Sequence, residues 1–114
     1  MLINTNFAAV NAQNLDAYSF FEICAQAGWI DRESPEDVES WFFDAMRYEK
    51  ASLRMISAFV RRLVADNFPW NIVIRPHPAE NFEAWQRNFD SLPRTHVLRE
   101  GDHTAWTKAA GLLI

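Results

Sequence analysis

Arg75 and His77 close an apolar run, Ile72-Val73-Ile74-Arg75-Pro76-His77-Pro78, and their side chains are suited to holding an anion. A guanidinium offers several N–H donors in a fixed fork. A neutral imidazole donates one hydrogen bond and adds charge when protonated. Pro76 and Pro78 fix φ on either side of His77 and offer no N–H to a sheet ladder, so the ring is held rather than swinging. Asn71 to Ile74 reads as a buried strand, because consecutive β-branched residues between turn signals suit a strand covered on both faces. Arg75 and His77 therefore fall at a strand's carboxyl end, where open α/β sheets bind ligands. A helix beginning near Ala79 would add its N-terminal N–H groups, and the chemistry expected there is a phosphate contact. Two other readings stay open: a turn histidine bonded to backbone, and an Arg75 paired with a carboxylate.

Further candidates belong to the same sheet edge. Glu80, in the first turn of that helix, either complements the helix dipole or orients His77 or a substrate hydroxyl. Asn4, Thr5 and Asn6 leave the first strand and either contact a substrate or simply form a turn. Asp102 and Thr104, in Glu100-Gly101-Asp102-His103-Thr104, either cap a short helix or belong to a loop that wraps a nucleotide base. His96 reads as structural and Cys24 as core. Cys24, His77, His96 and His103 lack metal-ligand spacing, so no metal is expected. There is no G-x-G-x-x-G or Walker pattern.

These residues need elements to position them. Met1–Asn4 reads as a short strand, and Leu15–Ala27 as a helix with Asn14 at its start and Gly28 at its end. Ser34-Pro35-Glu36-Asp37 is a helix start: Ser as N-cap, Pro first, then acids at the positive dipole end. From Val38 to about Asn67 the apolar residues keep a helical period, as one long helix or two joined near Tyr48 to Ser52; with no Gly or Pro to break it, one continuous or gently bent helix is expected. Ala79–Phe89 is a third helix with Phe82, Trp85 and Phe89 on one face. Thr95–Leu98 is a strand, 101–110 a loop and short helix, and Gly111–Ile114 a last strand. The alternation predicts a three-layer, Rossmann-like α/β fold with a four-stranded parallel sheet of order 3-2-1-4, the first strand lying inside.

The chain has 114 residues and a formal charge of −4. That is one domain, and the acidic balance argues against a nucleic-acid partner. No run approaches the ~18 apolar residues of a membrane span, and nothing reads as a signal peptide. Because the chain stops inside an apparent strand, it is expected to be a piece of a longer protein, and marginal or self-associating alone. The aromatics Trp41, Phe42, Phe43, Tyr48 and Phe59 are too many for one helix to turn towards one sheet, so some are expected to face a missing lobe.

Ile72-Val73-Ile74-Arg75-Pro76-His77-Pro78-Ala79-Glu80-Asn81, followed by Trp85, resembles the carboxy-terminal lobe of surface carbohydrate biosynthesis proteins. Those are similar to GT-B glycosyltransferases and to related capsule and teichoic-acid polymer synthases. Leu2-Ile3-Asn4-Thr5-Asn6-Phe7, and Arg99-Glu100-Gly101-Asp102 followed by Trp106, resemble the family's first strand and third-strand loop. The resemblance covers most of the chain but is patchy from Ala8 to Trp70. It implies a single, partial lobe (1–114) that binds a nucleotide-activated sugar, with His77 on the donor phosphate and a carbohydrate acceptor as the other substrate. It assigns no catalytic residue here. An acceptor-activating base would come from an amino-terminal lobe absent from this chain, so the chain alone is expected to be inactive. No cofactor is implied. The setting implied is cytoplasmic, at the inner face of the membrane through peripheral association of the whole protein. A nucleotide-sugar epimerase of the same fold and a non-catalytic, flavodoxin-like interaction module are the alternatives.

Overall fold

The computed structural model describes residues 1–11, 16–30 and 35–114. Its elements run β1 (Leu2–Asn4), α1 (Ala17–Gln26), α2 (Pro35–Ala65), β2 (Ile72–Arg75), α3 (Phe82–Phe89), β3 (Thr95–Val97) and α4 (His103–Ala109). Asn14 and Ser34, expected as helix caps, lie outside the described residues. The cap of α1 is Asp16, whose side chain accepts from the Ser19 N–H at 2.9 Å.

The sheet is parallel, three-stranded and ordered β1-β2-β3, so β2 is the central strand. This corrects the expected four-stranded sheet of order 3-2-1-4. Gly111–Ile114 does not form a strand. It meets β1 through a single bridge, Leu2 to Leu113, although backbone bonds from Leu2 to Leu112 O (2.8 Å), Asn4 to Ile114 O (3.0 Å) and Ile114 to Leu2 O (2.9 Å) hold it there. A short apolar run has the composition of a strand, but a strand also needs successive bridges, which composition alone does not specify.

Register sorts the side chains between two faces. Ile3 pairs with Ile74 and Ile74 with Val97, while Asn4 pairs with Arg75 and Val73 with His96. Successive residues of a strand point to opposite faces. One face therefore carries Ile3, Ile72, Ile74 and Val97, all buried, and packs on Val60 of α2 and on Trp85 and Phe89 of α3. The other carries Asn4 and Arg75, and there Leu2, Val73, Trp106 and Ala109 line a common cavity beside α4. Trp85 and Phe89 stack at 5.7 Å and are almost wholly excluded from solvent. At roughly 1.5–3 kcal/mol per large apolar side chain, such burial dominates the stability of the sheet.

Helix α2 has 31 residues, some 46 Å at ~1.5 Å per residue, and serves two cores. Its carboxyl half covers the sheet. Its amino half, through Phe42 and Met46, packs with Phe21 and Cys24 of α1 and with Ile30. Phe21 and Phe42 meet edge-on at 5.0 Å. The helix stops without glycine. Asn67 takes φ +57°, the Phe68 N–H bonds Leu63 O at 2.9 Å, and Pro69 follows. Asparagine tolerates the left-handed conformation that ends helices this way.

Candidate anion site

Pro76 ends β2, and the chain then turns through His77 to Glu80 to reach α3. Glu80 is fully buried at this turn. Its Oε1 accepts from Thr5 Oγ1 at 2.7 Å and from the His77 N–H at 2.9 Å, and its Oε2 accepts from Trp85 Nε1 at 2.9 Å. The carboxylate thus ties the exits of β1 and β2 to α3. It does not line the cavity above, so its contribution to a site is to hold Thr5 and His77 in place.

The cavity lies at the carboxyl edge of β1 and β2 and encloses about 300 Å³. It is lined by Asn4, Thr5, Arg75, Pro76, His77, Pro78, Arg99 and His103. Its chemistry is set by two guanidinium groups, neither of which meets a carboxylate among the described residues. Arg75 Nη2 donates to the carbonyls of Arg99 (3.2 Å) and Gly101 (2.9 Å), and its guanidinium lies 5.8 Å from the Trp106 ring centre. Arg99 Nη2 donates to Glu80 O at 2.6 Å, and its guanidinium covers Phe82 at 4.7 Å. Arg75 Nε and Nη1 and Arg99 Nε are buried without a hydrogen-bond partner. A buried, unpaired donor on a charged group is costly, by ~1–3 kcal/mol or more, and such groups favour an anionic oxygen.

His77 and His103 complete the lining. Nδ1 of the exposed His77 accepts from the Ala79 N–H at 3.2 Å, which in the neutral ring leaves the proton on Nε2 as an available donor. His103 Nε2 lies 3.2 Å from Asn4 Nδ2.

The sequence candidates divide accordingly. Arg75, His77 and Thr5 come together at the cavity, with Asn4. Asn6 is exposed and is not part of the lining. Asp102 is the N-cap of α4: its side chain accepts from the Ala105 N–H at 3.1 Å, and this bond holds its carboxyl below the usual aspartate range. Thr104 is exposed in the first turn of α4, beside that cap. These two residues serve the helix end and do not line the cavity. Arg99 and His103 were not anticipated as site residues. The only signal for them is position, since each follows the strand neighbouring Arg75 by a few residues.

Among the described residues, no cluster of three or more His, Cys, Asp or Glu could hold a metal ion, and no helix is long and apolar enough to cross a membrane. The chain matches no family model, no curated protein sequence and no solved structure.

Proposed function

We propose that this domain binds a phosphate-bearing ligand of the nucleotide-sugar class at the carboxyl edge of its sheet, as the donor-binding part of a glycosyltransferase for surface polysaccharide. The observation that carries the reading is the pair of guanidinium groups at one cavity with unpartnered buried N–H donors. A diphosphate offers acceptor oxygens to both arginines at once, and the His77 Nε2–H is a further donor at the rim. The nucleotide-sugar assignment rests on the resemblance of the 72–81 segment, with which the cavity chemistry agrees.

In a transfer reaction this arrangement would act by positioning and charge neutralisation. The bond between the sugar and the phosphate lengthens, negative charge grows on the leaving phosphate, and fixed cationic donors stabilise that charge more than the ground state. Thr5, held by Glu80, and Asn4 stand at the end of β1 to contact neutral parts of the same ligand.

Calorimetric titration of a nucleoside diphosphate into wild type, Arg99→Gln and His77→Ala tests the reading. Loss of one charge-assisted bond, roughly 1.5–3 kcal/mol, predicts an affinity lower by about 10- to 150-fold for Arg99→Gln. A smaller drop is expected for the more exposed His77. Equal affinities in variants that keep the wild-type circular dichroism would refute it.

A further inference from the structure

We propose that the groove between α2 and α3 binds an extended acidic glycan, one that carries a carboxylate on every second sugar. The groove encloses about 430 Å³, and none of its lining residues belongs to the anion cavity. Its α2 wall presents Arg54, Ser57 and Arg61, its α3 wall presents Asn88, and Asn11 enters from the loop after β1. Leu53 and Trp85 supply apolar surface among them. The charged residues of α3, Glu83 and Arg87, do not line it, so no acid shares the groove with the two arginines. This set matches a sugar acid: guanidinium groups for the carboxylate, amides and a hydroxyl for its hydroxyls, and apolar surface for the C–H faces of the rings.

The spacing of the cations selects the ligand. Arg47, Arg54 and Arg61 recur every seven residues, an interval that turns only ~20° about the helix, so the three share one face. Seven residues at ~1.5 Å each set neighbours about 10.5 Å apart. An extended glycan advances about as far over two sugar rings. A carboxylate on alternate sugars therefore meets successive arginines, and the neutral sugar between them falls against Ser57 and Asn88. Phosphates along a nucleic-acid strand lie closer together than this ladder. Lys50 stands on the same face between Arg47 and Arg54, where both Lys50 and Arg47 line the next cavity along the helix. Asp16, which also lines that cavity, is engaged as the cap of α1. Lys50, Arg54 and Arg61 meet no carboxylate among the described residues, whereas Arg47 pairs with Asp44 in an exposed contact that a ligand carboxylate replaces at little cost. Arg61 is oriented by donating from Nη2 to Asn88 O at 2.8 Å and by the Phe89 ring at 5.6 Å. Both partners are neutral, so its charge remains for the ligand. That such a glycan is the acceptor of the transfer rests on the function proposed above; its binding to the groove does not.

Calorimetric titration of the 114-residue chain with three probes of equal length tests the groove. They are a hexasaccharide alternating glucuronate and N-acetylglucosamine, the neutral N-acetylglucosamine hexamer, and single-stranded hexathymidylate. Saturable, salt-sensitive binding of the alternating hexasaccharide is expected, with the other two at least about tenfold weaker. Arg54→Gln, at an exposed position, should lower its affinity about tenfold, as should Asn88→Asp, which sets a carboxylate beside Arg61. Arg87→Gln, outside the groove, should leave it unchanged. His77→Ala and Arg99→Gln should leave it unchanged too, so the groove and the anion cavity stand or fall separately. No binding at millimolar hexasaccharide, or losses in Arg87→Gln as large as in Arg54→Gln with both folded by circular dichroism, overturns the groove. A neutral hexamer or an oligonucleotide that binds as tightly as the alternating hexasaccharide overturns the acidic-glycan assignment.

Discussion

At Glu80 a single carboxylate receives a hydroxyl, a backbone N–H and an indole N–H from three separate parts of the chain. Replacing it with alanine strands all three donors in the interior. At ~1–3 kcal/mol for each buried group left unsatisfied, Glu80→Ala should destabilise by about 3 kcal/mol or more, read as a fall of over ~10 °C in Tm. An unchanged thermal midpoint would remove Glu80 from the account. Glu49 behaves in the opposite sense. Burial, and then the charge of Glu80, push its carboxyl above its ordinary 4.5, and its Oε2 is buried without a partner. The folded state therefore binds this proton more tightly than the unfolded chain does. Glu49 accordingly favours folding below the ordinary value, and that contribution is lost as pH rises towards the folded-state value. Glu49→Gln should raise Tm at pH 7, and the gain should vanish near pH 4, which paired melts at the two pH values check. Arg75 and His77 were legible because the prolines around His77 announce where the strand stops. Arg99 and His103 were not, because nothing local shows that residues beyond β3 turn back over the cavity beside β2.

Among the elements, the loop between β3 and α4 shows how tightly the site's walls are specified. Gly101 has φ +82°, and a Cβ there would come 2.9 Å from Trp106 Nε1, which donates to Glu100 O at 2.7 Å. Gly101 O also accepts from Arg75. Gly101→Ala should therefore cost about 1–3 kcal/mol, through left-handed strain and the displaced indole, and should loosen Arg75 as well. Denaturant unfolding monitored by tryptophan emission measures it; a variant as stable as wild type would show that the loop accommodates the methyl. Helix α2 was legible from end to end, since thirty residues with an apolar period and no breaker leave the backbone little alternative. The sheet was less so. Strand existence followed from β-branched runs, whereas the number and order of strands depend on long-range pairing. A fourth strand was expected from Gly111–Ile114, and one bridge to Leu2 stands in its place.

For the whole molecule, the arrangement joins a cationic cavity to a chain whose formal charge is −4. The net acidity discourages non-specific polyanion binding, while the two arginines are what the proposed site would offer a small anion. That contrast makes the proposal directly measurable, since it has the unpartnered N–H groups of Arg75 and Arg99 receive phosphate oxygens. Proton–nitrogen correlation spectra that follow the arginine Nε–H resonances during titration with a nucleoside diphosphate report on those groups themselves. Saturable shifts of the Arg75 and Arg99 Nε–H signals, with Arg47, Arg54 and Arg62 unmoved, are the predicted result. Shifts spread evenly over all the arginines, or none at Arg75 and Arg99 at millimolar ligand, would contradict it.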